Sequence, residues 1–149
     1  MYEFLQQIVG DHMTRNVKTV RRQMSVGELS RMFERDDFNA YPVEEDAQVV
    51  GLVSKFDLLK CFALTPSQMV PRYDDLMKRT VADIMTTAFI YVGADTRLTR
   101  VLQLMVEHKI RSIPAIDDGH RLVGVIARED VIRALAACTG ARAGPDLPR

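Results

Sequence analysis

The chain says nearly the same thing twice. Val9-Gly10-Asp11-His12-Met13-Thr14 returns as Val81-Ala82-Asp83-Ile84-Met85-Thr86. Tyr41-Pro42-Val43 returns as Ile113-Pro114-Ala115, and Val50-Gly51-Leu52-Val53 as Val123-Gly124-Val125-Ile126, with Asp57 and Asp130 following at matching places. One extra residue enters the second copy between Pro114 and Gly124, where Asp117-Asp118-Gly119 reads as a turn. An internal repeat constrains architecture before any side chain is given a role. Two copies predict a pseudo-twofold unit with paired, related sites.

Each copy reads as strand, helix, strand, strand, helix. In the first, the pattern predicts a strand over Asn16 to Val20, strands over Phe38 to Val43 and Val49 to Val53, and a last helix from Ser54 to about Phe62. Ser25 and Glu28 fit a capping box ahead of a helix whose apolar face is Val26, Leu29, Met32 and Phe33. In the second, the pattern predicts strands over Phe89 to Val92, Arg111 to Ile116 and Leu122 to Ile126, with helices over Leu98 to Glu107 and Glu129 to Ala137. The first two strands of each copy are joined through a helix, which predicts a parallel right-handed crossover. The next two are joined by a short polar turn, which predicts a hairpin. One copy alone leaves its apolar surface bare, so the copies are expected to pack together. Repeat 1 with its lead-in is assigned to residues 1–62, a linker carrying Pro66 and Pro71 to 63–80, repeat 2 to 81–139, and a disordered tail to 140–149.

Composition excludes several classes. The formal net charge is zero, so nothing marks a nucleic-acid or anionic-membrane partner. Arg21-Arg22 and Lys78-Arg79 read as solvated surface. Cys61 and Cys138 are the only cysteines and read as buried or half-buried helical thiols, neither a disulfide nor a zinc site. No basic segment followed by an apolar stretch opens the chain, and no run is long enough to span a bilayer, so a cytoplasmic location is expected. His12, His108 and His120 are scattered, and no catalytic triad, phosphate-binding glycine loop or metal-ligand cluster appears, so no enzymatic activity is expected.

These residues resemble the CBS domain family, specifically the tandem CBS pair or Bateman module. The markers are the opening Val-x-Asp-x-Met-Thr, the central proline strand, and a Gly segment leading to Ser54-Lys55-Phe56-Asp57 or Ala127-Arg128-Glu129-Asp130. Their order, twice, from Val9 to about Leu135, makes the match specific. The resemblance implies an α+β fold of two βαββα repeats, with adenosine-type ligands such as AMP, ADP, ATP or S-adenosylmethionine bound in clefts between the repeats. It implies a first cleft of Ser54, Lys55, Asp57, Thr86, Thr87, Ile110, Arg111, Ser112, Ile113 and Pro114, with His108 a lesser candidate. Asp57 would accept both ribose hydroxyls, strand backbone would read the adenine edge, Ile110 or Ile113 would pack on its face, and Lys55 and Arg111 would meet phosphate. It implies a second cleft of Thr14, Asn39, Ala40, Tyr41, Pro42, Arg128 and Asp130.

The residues have their own reading beside this. Ser54 and Asp57 open a helix, whose free N–H groups suit an anion, yet they are also an ordinary cap. Ala127 replaces the hydroxyl residue and removes a hydrogen bond, and Glu129 adds negative charge, so the second cleft is expected to be weaker, empty or differently selective. The resulting expectation is a sensor module for an adenine nucleotide, with no required cofactor, signalling to an unidentified protein target. The alternatives are a ligand-free dimerisation module and a sensor of S-adenosylmethionine or NAD. Leu58, Leu59, Phe62, Val131, Ile132 and Leu135 are too many apolar residues for the inside of one pair, which predicts a homodimer through these helices.

Overall fold

The repeated proline segments build two hairpins in a computed structural model that describes residues 2–63 and 73–140. The tail beyond Gly140 and half of the expected linker, 64–72, lie outside the described residues. The chain divides into a central unit, Lys18–Phe89, and a terminal unit made of Met1–Val17 with Ile90–Arg149.

In the central unit, β1 (Val20–Arg21) leads through α1 (Val26–Arg35) to β2 (Ala40–Glu45), which it pairs in parallel. β2 turns back as β3 (Gln48–Ser54) in an antiparallel hairpin, and α2 (Lys55–Cys61), α3 (Tyr73–Lys78) and α4 (Val81–Ile84) follow. Ser25 caps α1 by accepting a hydrogen bond from the Glu28 N–H at 3.1 Å. Val26, Leu29 and Phe33 come to one buried face because helical side chains three and four apart are neighbours. Leu29 and Phe33 meet Val20, Tyr41, Val43, Val53 and Val81 in the core.

In the terminal unit, α5 (Leu98–His108) leads to β4 (Ser112–Ile116), which pairs antiparallel with β5 (Leu122–Ala127), and α6 (Arg128–Leu135) follows, closed by a π turn at Ala136–Gly140. The N-terminal residues lace along the start of α5. Val9 N–H donates to Thr96 O at 2.8 Å, Gly10 N–H to Ala94 O at 2.7 Å, and Leu98 N–H to Gln7 O at 3.0 Å. Phe4, Val9 and Met13 thereby join Leu98, Val101, Ile113 and Ile126 in this unit's core.

The first strand of each copy is shorter than its sequence predicts. Only Val20 and Arg21 pair, opposite Val43 and Glu44, and in the second copy only the bridge Val92 to Ala115 remains. The next rung back would fall at Pro42 or Pro114. Proline has no N–H to give to the ladder, so pairing ends there.

The units divide the chain otherwise than the repeats do. The lead-in of the second copy pairs with the first copy's hairpin, Thr86 opposite Leu52. The lead-in of the first copy pairs with the second copy's hairpin, Thr14 opposite Val125.

Candidate ligand-binding site

The central unit gathers Ser54, Lys55, Asp57 and Thr86 at the start of α2. Asp57 is buried at 6% exposure, an unusual place for an acid, and its partners explain how it is held. Its Oδ2 accepts from the Ser54 N–H at 2.9 Å and from the Ser54 hydroxyl at 3.1 Å, and the Asp57 N–H donates back to Ser54 Oγ at 3.1 Å. Its Oδ1 lies 3.2 Å from Lys60 Nζ and accepts a long contact from the Thr86 hydroxyl at 3.4 Å. Thr86 is placed there by two backbone hydrogen bonds with Leu52, and Thr87 follows it, exposed. Three backbone N–H groups at this helix start are engaged within the unit. Lys55 N–H donates to Asn39 O at 2.9 Å, and the Ser54 and Asp57 N–H groups are engaged in the cap.

The terminal unit repeats the arrangement with fewer bonds. Asp130 is buried at 5% exposure. Its Oδ2 accepts from the Ala127 N–H at 2.9 Å, and its Oδ1 accepts from Arg133 Nη1 at 3.1 Å. Arg128 N–H donates to Arg111 O at 3.0 Å, the counterpart of Lys55 and Asn39. Thr14 is exposed and held by reciprocal backbone bonds with Val125 at 2.9 Å.

The strand residues split by side-chain direction. Ala40 pairs with Ser54, and Ser112 pairs with Ala127, so each strand starts beside the acid-bearing turn of its own unit. Tyr41 and Ile113 point into their cores at 1% and 0% exposure. Ile113, one of the two residues expected on an adenine face, is thus in the core, and Ile110 is half-exposed. Pro42 and Pro114 are buried, while Asn39, Ala40 and Ser112 are half-exposed. The Tyr41 hydroxyl is 3.1 Å from Met32 O and 3.0 Å from Asp36 Oδ2.

Charge differs between the units. Lys55 in the central unit is half-exposed. In the terminal unit Arg111 and Arg128 are exposed, but Glu129 stands among them. The backbone N–H beside its carboxylate, then Arg128 and Arg111, hold Glu129 below the usual glutamate range. An anion of the chain itself thus lies at the start of α6. His108 closes α5, followed by Lys109 in the left-handed region at φ 54°.

Sequence reasoning passed over Lys60 and Arg133. The signal was available: each follows its acid by three residues, at the same place in both copies, and a helix brings such residues to one face.

The fold and the paired acid-bearing turns are those of a tandem CBS module. The CBS domain model matches residues 9–64 and 81–137, and the chain belongs to the CBS domain family. It is 30% identical over 148 residues to the chloroplastic CBS domain-containing protein CBSX1 of Arabidopsis thaliana, across 85% of this chain and 63% of that protein. It is 28% identical over 125 residues to a homoserine O-acetyltransferase of Methanosarcina acetivorans, across 83% of this chain but only 21% of the enzyme. The chain thus spans less than two thirds of each of these relatives. The crystal structure of CBSX2 in complex with AMP superposes with a TM-score of 0.76 at 28% identity, covering 88% of this chain and 97% of that one. Among the described residues, no group of His, Cys, Asp or Glu is placed to hold a metal, and no helix is long and apolar enough to cross a membrane.

Proposed function

We propose that this CBS pair is a non-catalytic regulatory module that binds an adenosine-type ligand and passes its occupancy to a protein target. The observation that carries the reading is the pair of buried acids, Asp57 and Asp130, each fixed at a helix start beside the first residue of a strand, Ala40 or Ser112. A carboxylate held this way suits the hydroxyls of a ribose. Asn39, Ala40 and Pro42, with Ile110, Arg111, Ser112 and Pro114, are the strand residues we assign to the base, Thr14, Thr86 and Thr87 the lead-in residues beside it, and Lys55 and Arg128 the cations nearest the acids. The similarity to CBSX2, which binds AMP, supports AMP as the first ligand to try.

Glu129 favours a second reading for the terminal unit. A carboxylate already at the start of α6 disfavours a ligand phosphate there by like-charge repulsion. An adenosine with a neutral or cationic 5′ substituent, such as S-adenosylmethionine, suits that unit better.

The module is proposed to act as a homodimer. Phe56 and Leu59 on α2 and Ile132 on α6 are more than 60% exposed, and an apolar groove of about 400 Å³ runs along Leu102, Met105, Val106, Ile132 and Leu135. Isothermal titration with AMP, adenosine and S-adenosylmethionine, beside mass spectrometry of nucleotide that copurifies, tests the ligand. No heat with any of the three would leave only a scaffolding role.

A further inference from the structure

Lys60 has two seats on α2. It follows Phe56 by four residues and Asp57 by three, so one turn of helix brings the three side chains together. Its Nζ stands 3.2 Å from Asp57 Oδ1 and 5.5 Å from the centre of the Phe56 ring, within reach of a cation–π attraction. The two seats face different surroundings. Asp57 is buried, whereas Phe56 is 64% exposed and stands with Leu59 among the residues we assign to assembly. No ring completes the triad on α6: Glu129 stands where α2 carries Phe56, one residue before the acid.

Asp57 Oδ2 is taken by the Ser54 N–H and the Ser54 hydroxyl, so Oδ1 is the oxygen left for a further donor, and Lys60 holds it. An exposed ion pair and an exposed cation–π contact are of similar strength, and the Lys60 side chain is 60% exposed. Little therefore favours one seat over the other. A hydrogen bond to a charged group outweighs either, so a ligand hydroxyl arriving at Oδ1 tips Lys60 from the acid onto the ring. We propose that Lys60 is a switch between the ligand site and the outer face of α2, seated on Asp57 when the site is empty and on Phe56 when it is filled. Filling then turns a neutralised cation into an unneutralised one on that face, where whatever packs on α2 can read it. The proposal rests on the reading of Asp57 as part of an adenosine-type ligand site.

The test uses adenosine, which carries the ribose hydroxyls and no charge of its own. Calorimetry on the full chain compares wild type with Lys60→Met. Removing the competitor should tighten adenosine binding by about twofold to fivefold, the strength of an exposed ion pair. A lysine that only steadies Asp57 gives the opposite sign, because binding would weaken without it. The second readout is optical. The chain has no tryptophan, so Phe56→Trp places the only indole beside Lys60. Saturating adenosine should shift its emission, and the shift should vanish when Lys60→Met is added. Equal or weaker adenosine binding by Lys60→Met, or an emission shift that survives Lys60→Met, would overturn the switch and leave the ligand reading standing. If Lys60→Met fails to fold, Lys60→Gln takes its place in both measurements. If wild type gives heat with AMP alone, the emission measurement decides, with AMP as the ligand. A wild type that binds neither adenosine nor AMP overturns the ligand reading and the switch with it.

Discussion

Met13 lies directly over Gly124. A methyl group on Gly124 would stand 2.6 Å from Met13 Sδ and 2.8 Å from Thr14 O. The same relation recurs between Gly51 and Met85, where the distance to Sδ is 3.0 Å and that to Thr86 O is 3.0 Å. The lead-in thus crosses each hairpin where it has no side chain. Gly124→Ala should destabilise the protein by about 1–3 kcal/mol through overpacking, and Gly51→Ala by less. Urea unfolding of the two variants checks the order.

The turn between β2 and β3 carries strain that glycine would relieve. Asp46 and Ala47 both have positive φ, 52° and 62°. An L-residue with a Cβ is disfavoured there by about 1–2 kcal/mol. Hairpins of two residues usually place glycine second. Ala47→Gly should therefore raise stability by up to about 1 kcal/mol, read as a higher denaturation midpoint.

Tyr41 is a structural residue of the central unit, and its protonation ties stability to pH. Burial, then the neighbouring Asp36 carboxylate, pushes the phenol well above its usual range. A raised value in the fold means this contribution is complete below the ordinary tyrosine value, about 10, and is lost as pH rises beyond it. The hydrogen bond from Lys18 holds the Asp36 carboxyl below its usual range, with the Tyr41 hydroxyl and Arg35 adding to it against the effect of burial. That contribution is present above the ordinary carboxylate value, about 4, and is lost as pH falls through the lowered one. Tyr41→Phe should cost about 1–2 kcal/mol near neutral pH. It should also flatten the alkaline limb of melting temperature against pH.

The exposed apolar residues of α2 and α6 test the assembly. Leu59 is 68% and Ile132 61% exposed, so a charge at either disturbs little of its own unit. Wild type should weigh as a dimer by light scattering at micromolar concentration. Leu59→Glu with Ile132→Glu should give a monomer with an unchanged circular dichroism spectrum.

Glu129 should govern discrimination by phosphate. Glu129→Gln removes the negative charge at the start of α6 and leaves Arg111 and Arg128. AMP should gain affinity relative to adenosine by about threefold to tenfold, the effect of a partly screened charge pair. An unchanged AMP-to-adenosine ratio would mean that no ligand phosphate comes near this carboxylate.

The parts legible in the sequence are those set by local chemistry. Ser25 caps α1 as its spacing predicts, and the hairpins form around Pro42 and Pro114. The inward direction of Tyr41 was also readable, because it lies two residues from Val43 and strand side chains alternate. The left-handed residue of the second hairpin was harder. It is His120, at φ 60°, and not Gly119, because Asp117 Oδ1 accepts from both the Gly119 and Arg121 N–H groups and fixes the turn around them. The pairing of each lead-in with the other copy's hairpin was readable only through the resemblance, which groups Thr86 with Asp57 and Thr14 with Asp130. It joins residues far apart in the chain, and two similar lead-ins carry no local mark of which hairpin each will cross. The acceptor count at the acids was hidden for a related reason: a motif names a hydroxyl without saying where its proton points.

That exchange of lead-ins has a consequence for synthesis on the ribosome. The central unit is continuous, Lys18–Phe89, and every segment of its core has been made by the time Phe89 emerges. The terminal unit needs Phe4, Val9 and Met13 together with Ile126, Val131 and Cys138, so its first residues wait, apolar and unburied, until the last have been translated. Domains fold as units and in order of emergence. Phe4, Val9 and Met13 therefore stay exposed on the nascent chain until Cys138 has emerged, and a change at any of them injures the unit that is completed later.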